Sequence, residues 1–149
     1  MNTAGQAGAD EPARVTLDQV HALLHEFNLD LDGHIRIEAL GSRTARARFR
    51  VAKKHLRPGD TVSGPTLMAL ADAALYAAVL GAIGLVPLAV TTSLNINFLH
   101  RPAPGDVIAE VKLLKVGQRL AVGEVSLHSE GQSDPVAHVT ATYSIPPRR

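Results

Sequence analysis

The chain has 149 residues, of which 46% are hydrophobic, and a formal net charge of +1. That is the length of one ordinary domain with enough apolar side chains for a core, and so small a charge gives no push toward nucleic acid or acidic partners. Cysteine is absent, which excludes disulfides, thiolate nucleophiles and cysteine zinc sites and fits a reducing compartment.

With three Phe, two Tyr and no Trp, there is little material for stacking nucleic-acid bases. The opening stretch MNTAGQAGADEPARV lacks a basic patch followed by an apolar run, so no secretory signal is expected. Residues 1–13 read as a loose tail, 14–149 as a single domain, and the expected location is cytoplasmic.

Thr16-Leu17-Asp18-Gln19 fits a capping box with Thr16 as N-cap. Leu17, Val20, Leu23, Leu24 and Phe27 follow at helical spacing, predicting a short amphipathic helix that ends near Asn28. Asp32-Gly33 marks a turn. His34 to Leu40 reads as a strand, and Gly41-Ser42 as a hairpin turn. The next run alternates: Ala45, Ala47, Phe49 and Val51 on one face, Thr44, Arg46, Arg48 and Arg50 on the other. This is a half-buried antiparallel strand whose arginines are expected in solvent. Residues 52–62 form a polar loop.

The stretch 63–84 reads as a buried helix. Ser63 can cap it, Pro65 suits its first turn, and Gly81 to Gly84 should end it, for a length of roughly 27 Å. Ala71, Ala74, Ala77, Ala78 and Gly81 would let other backbones approach closely. Ala73 to Val90 is apolar and long enough to resemble a membrane span. Its glycines, Pro87 and the alternating run after it favour a buried helix followed by a strand, and no membrane partner is expected.

After Pro87 the period changes from helical to alternating. Val90, Thr92, Leu94, Ile96 and Phe98 are assigned to one face, and Thr91, Ser93, Asn95 and Asn97 to the other. Further strands are predicted at 106–116, 119–129 and 136–145. The order is short helix, two strands, long helix, four strands: an α+β arrangement in which a long antiparallel sheet must wrap around one central helix.

Between Asp60 and Arg101 the one formally charged side chain is Asp72. An isolated carboxylate on a buried helix is costly without a partner or a task, and perturbed ionisable groups gather where chemistry is done. On the helix it shares a face with Met68, Leu75, Tyr76 and Val79. It could act as a general base or as a nucleophile, or be a structural Asp bonded to backbone or hydroxyl groups across a dimer interface. Free N–H groups at the helix start, Gly64 among them, favour a developing negative charge. Ser63 sits in VSGPT, which is not the Gly-x-Ser-x-Gly nucleophile elbow, so capping is its expected role. The seven histidines form no compact metal motif, and no metal is expected.

GDTVSGPTLMALADAALYAA, VTTSLNINFLHRPAPGD and LLKVGQRLAVGEVSL together resemble the hotdog-fold thioesterases of the phenylacetate-degradation (PaaI) type, over roughly residues 55–145. The resemblance implies hydrolysis of an acyl-CoA thioester in a homodimer or homotetramer, with the active site between subunits and no cofactor beyond the coenzyme A of the substrate. By position it makes Gly64 the oxyanion donor, Asp72 the base or nucleophile, and Thr91 the hydroxyl that holds water. Ser63, Pro65, Arg57, Asn97 and Arg119 are the expected substrate-binding set.

Ser63 stands where the family usually has His, Pro65 where it has a second Gly, and Arg57 near a position that is usually Asn. Proline has no N–H and cannot serve an oxyanion. Two other functions use a similar cleft: a non-catalytic acyl-CoA binder, and a hotdog hydratase or dehydratase. The latter usually pairs a His with the acid, and no His lies on the 63–84 helix.

Overall fold

In the computed structural model, which describes residues 11–147, the first helix α1 spans Leu17–Glu26. The Thr16–Gln19 capping box closes as predicted: Thr16 Oγ1 accepts from the Gln19 N–H at 3.1 Å, and the Thr16 N–H donates to Gln19 Oε1 at 2.9 Å. Val20 and Leu24 are the buried positions of α1. The sequence-predicted tail falls mostly outside the described residues. Of its last three residues, Pro12 pairs with Gly41 in an isolated bridge, and Glu11 O accepts from the Ser42 N–H at 3.1 Å.

Strands β1 (Ile35–Leu40) and β2 (Thr44–Phe49) form the predicted hairpin. The polar loop after them holds more structure than the sequence suggested. A single 3-10 turn at Lys53–His55 leads into a two-stranded hairpin, β3 (Leu56–Arg57) with β4 (Thr61–Val62). The central helix α2 spans Gly64–Ile83, capped by Ser63. Four long strands follow: β5 (Val90–Phe98), β6 (Val107–Val116), β7 (Leu120–Ser129) and β8 (Pro135–Ser144). Six strands make one antiparallel sheet in the order β1-β2-β6-β7-β8-β5, leaving β5 at an edge.

The sheet wraps α2. Leu70, Leu75, Val79 and Leu80 of the helix are fully buried beside Phe49, Ile37, Val107, Val125 and Leu127 of the strands. Each such side chain contributes about 1.5–3 kcal/mol by leaving water. The helix is long and apolar enough to cross a membrane, but 72% of its most apolar window is buried inside this fold. The core therefore accounts for its composition.

Two expectations need correction. The arginines of β2 are not simply solvated. Arg48 donates to Glu38 on β1 at 2.7 Å, to Asp106 just before β6 at 3.1 Å and to Glu130 just after β7 at 2.6 Å. Asp106 also accepts from the Val51 N–H at 3.1 Å. One guanidinium thus ties three parts of the sheet together, and its hydrogen bond holds the Glu38 carboxyl below its ordinary range. Second, β5 does not alternate without a break. Its pairing to β8 slips between Thr91 and Ser93. Such a bulge adds a residue and changes which side chains share a face. Thr91 consequently reaches the helix side together with Leu94 and Ile96, which pack against the core.

Gly81 lets the β1–β2 turn lie directly on α2, and its carbonyl accepts from the Arg14 N–H at 2.8 Å. A methyl group at Gly81 would stand 2.7 Å from the Gly41 carbonyl oxygen. Gly81→Ala gains roughly 1 kcal/mol of helix propensity but forces two backbones apart. A net destabilisation of about 1–3 kcal/mol should appear as a lower urea midpoint with an unchanged slope.

Candidate active site

Asp72 lies in the third turn of α2, half-buried among alanines and Tyr76. It is not left unpartnered. Thr91 Oγ1 donates to Asp72 Oδ1 at 2.7 Å, and the Tyr143 hydroxyl lies 2.7 Å from the same oxygen and 3.1 Å from the Asp72 backbone carbonyl. The bulge in β5 brings Thr91 here, and the inward alternation of β8 brings Tyr143. Tyr143 is 2% exposed and stacks on Tyr76, with ring centroids 6.1 Å apart. Tyr76 is fixed in turn by donating to Pro87 O at 2.9 Å.

Burial, and next the charge of Asp72, push the Tyr143 phenol well above its ordinary range. Burial pushes Tyr76 the same way. Both phenols are therefore lasting donors at neutral pH.

These residues border a cavity of about 340 Å³ lined chiefly by apolar atoms. Ala69, Ala73 and Tyr76 come from α2, Pro87, Ala89 and Val90 from the approach to β5, and Asn28, Leu29 and Leu31 from the loop after α1. A half-buried carboxylate facing an apolar space of this size can hold a water, or the reacting end of a small ligand, beside a largely apolar group.

The helix start forms a second, separate space. Gly64 borders a cavity of about 330 Å³ with Thr61, Leu67, Phe98 and His100, among others. Ser63 Oγ accepts from the Thr66 N–H at 3.3 Å, and Ser63 O accepts from the Leu67 N–H at 3.1 Å. Pro65 has no N–H. In the first turn, the Gly64 N–H is thus the donor left for a ligand. The Phe98 ring lies against Gly64, 3.2 Å from where a Cβ would be. Eight helical positions separate Gly64 from Asp72, roughly 12 Å along the axis. Within one chain the two groups cannot act on the same carbonyl.

The other expected contacts spread over the surface. Arg57 is exposed on β3, opposite Thr61 in register, at the helix-start end. Asn97 is exposed on β5, opposite His138. Arg119 borders a third cavity with Ile83 and Ile145, at the far end of α2. The fold thus brings together Asp72 and Thr91, keeps Gly64 with Ser63 and Pro65, and sets Arg119 apart from both.

Residues 59–136 match the family model of the thioesterase superfamily. The chain belongs to the thioesterase superfamily. Among solved structures, a candidate thioesterase of a Silicibacter species is 43% identical over 94% of this chain and 96% of its own, with a TM-score of 0.83. The phenylacetic acid degradation protein PaaI of Thermus thermophilus is 26% identical over 80% of this chain and 99% of its own, with a TM-score of 0.70. Zebrafish thioesterase superfamily member 2 shares the fold at a TM-score of 0.77 and 20% identity, over 89% and 99% of the two chains. No curated protein sequence matches the chain. The hotdog fold and the PaaI-type likeness expected from the motifs both hold.

In this superfamily member, sequence reasoning missed Tyr143 and the Asn28–Leu31 side of the cavity. Tyr143 had a usable signal. It shares the inward face of the last strand with Val139 and Ala141, and a buried phenol wants a partner, as did the lone Asp72. The loop had none, because its residues reach the cavity only through a backbone with positive φ at Asn28, Leu31 and Asp32.

The raised phenols carry a stability consequence. The folded chain keeps protons that the unfolded chain gives up near about pH 10. Their contribution is complete below that pH and is lost as the pH rises through the folded values. Alkaline titration should therefore show no phenolate absorbance near about pH 10, followed by the release of both tyrosines together with loss of helical circular dichroism.

Proposed function

We propose that the protein hydrolyses an acyl-CoA thioester with a small or medium acyl or aryl group. The observation that carries this reading is the Asp72 carboxylate, held by Thr91 and Tyr143 at the edge of an apolar cavity of about 340 Å³. The acyl group occupies the cavity, and its thioester carbon faces Asp72. Asp72 takes a proton from water as the water oxygen attacks that carbon. Collapse of the tetrahedral intermediate breaks the C–S bond, and the departing CoA thiolate takes the proton back. In a second route the carboxylate itself attacks, giving an acyl anhydride that water then opens. Single-turnover hydrolysis in ¹⁸O-water identifies the second route when water opens the anhydride at the Asp72 carbon, since only then does Asp72 keep label and the released acid carry an unlabelled Asp72 oxygen.

The oxyanion needs a donor, and the Gly64 N–H expected to supply it lies roughly 12 Å from Asp72 along the same helix. A second copy, presenting its helix start, would bring the Gly64 N–H to the carbonyl. Edge strand β5 and its approach offer the surface for that copy. Leu85, Leu88, Val90, Phe98 and Leu99 are all at least half exposed there, and an open strand edge invites pairing. The Asp72 cavity borders the same segment at Pro87, Ala89 and Val90. The working form is therefore a homodimer or a larger homo-oligomer. Lys53, Lys54 and Arg57, near the helix start in the chain, suit the phosphates of coenzyme A. Ser63 and Asn97 complete the expected contacts, Pro65 shapes the first turn, and Arg119 would serve only a ligand that extends to the far end of α2.

Thiol release from short, medium, long and aromatic acyl-CoAs tests the reading, with wild type beside Asp72→Asn. Wild type should cleave the smaller or aromatic esters. Asp72→Asn should lose about 10²–10⁴-fold in rate and still bind the ester. Binding without cleavage by wild type would instead favour an acyl-CoA-binding role. Light scattering should give a mass of at least two chains, and a monodisperse monomer would contradict the shared site.

A further inference from the structure

The two oxygens of Asp72 are not equivalent. Thr91 Oγ1 and the Tyr143 hydroxyl both lie 2.7 Å from Oδ1. Two donors fill the in-plane lone pairs of one carboxylate oxygen. Among the described residues no donor reaches Oδ2. Nor is Oδ2 sealed in the core, because the one buried side-chain atom without a partner there is Asp30 Oδ1. Oδ2 is therefore reached from the cavity that Asp72 lines.

Tyr143 does more than satisfy charge. Its hydroxyl also lies 3.1 Å from the Asp72 backbone carbonyl, so one group touches the side chain and the main chain of the same helical residue. That double contact restricts rotation of the Asp72 side chain about its first bond. The phenol is itself held rigidly, stacked on Tyr76, which is fixed by Pro87 O. A chain of contacts thus runs from the segment before β5, through two tyrosines, to one carboxylate oxygen. Both phenols stay protonated at neutral pH, and the titratable groups lining the cavity are Asp72, Tyr76 and Tyr143 themselves.

We propose that Tyr143 is a positioning residue which, with Thr91, anchors Asp72 through Oδ1 and so leaves Oδ2 as the single oxygen that meets water or substrate. The anchoring stands on geometry alone. What Oδ2 then does rests on the thioesterase reading. A carboxylate free to rotate would present either oxygen, and would spend part of its time with its reactive lone pair turned away from the cavity. The anchored one holds a single oxygen in place, which is where positioning gains rate.

Tyr143→Phe keeps the ring and its stacking and removes only the donor. Hydrogen bonds to an ionised carboxylate favour the ionised form, so the variant should protonate Asp72 more readily. Carbon-13 NMR of the Asp72 carboxyl, assigned by its loss in Asp72→Asn, should show the titration midpoint move to higher pH than in wild type. Turnover of the preferred CoA ester should fall about 10–100-fold with KM nearly unchanged, and the acid limb of the kcat/KM profile should move to higher pH. A packing role alone would move neither midpoint nor limb.

3-Fluorotyrosine at position 143 keeps ring and hydroxyl and is the more acidic donor. It should move the midpoint the other way, to lower pH, which keeps the test open if the Phe variant does not fold. An unchanged Asp72 titration in the variants that fold overturns the proposal. Shifted midpoints in a protein that cleaves no CoA ester leave the anchoring intact and defeat the hydrolase reading instead.

Discussion

A twenty-residue helix that is apolar on nearly every side sets the terms for this molecule. It cannot rest on a surface, because any exposed face would return large apolar area to water. Only a sheet that curves around it can cover enough of it. That requirement explains the long antiparallel strands and the small residues at the closest approaches. At Gly81 the requirement becomes steric, since the backbone of the β1–β2 turn lies where a side chain would stand.

Within that apolar environment one carboxylate has been kept. Asp72 is tolerated because the fold brings two hydroxyls to it from the two strands that finish the sheet at its β5 edge. The cost of partly burying a polar group is offset by these hydrogen bonds. Their convergence on one oxygen leaves the other without a protein donor among the described residues. The tyrosine pair behind them ties this local geometry to the segment that leads into β5.

The proposed oxyanion donor lies elsewhere. Gly64 and Asp72 belong to one helix, yet they face different cavities. Helical rise makes this unavoidable for groups eight positions apart. In the proposed assembly, a second copy docked along β5 would bridge the separation without any change of fold and would cover the apolar side chains that the edge leaves in water. The proposed site and the proposed assembly are therefore one hypothesis.

Element order, the Thr16 and Ser63 caps, the burial of α2 and the isolation of Asp72 as the one charged residue of that helix can all be read from the residues alone. These follow from local chemistry and from periodicity, which the chain states directly. Thr91 came near the acid only through family likeness, since simple alternation put it on the wrong face. The rest emerged with tertiary folding. A one-residue slip in the β5–β8 pairing turned Thr91 inward, and no single strand encodes its own register. Tyr143 met Asp72 across 71 positions of chain, and Arg48 found carboxylates from three separate segments. Such partnerships depend on which strands become neighbours, and that is fixed only when the sheet closes over its helix.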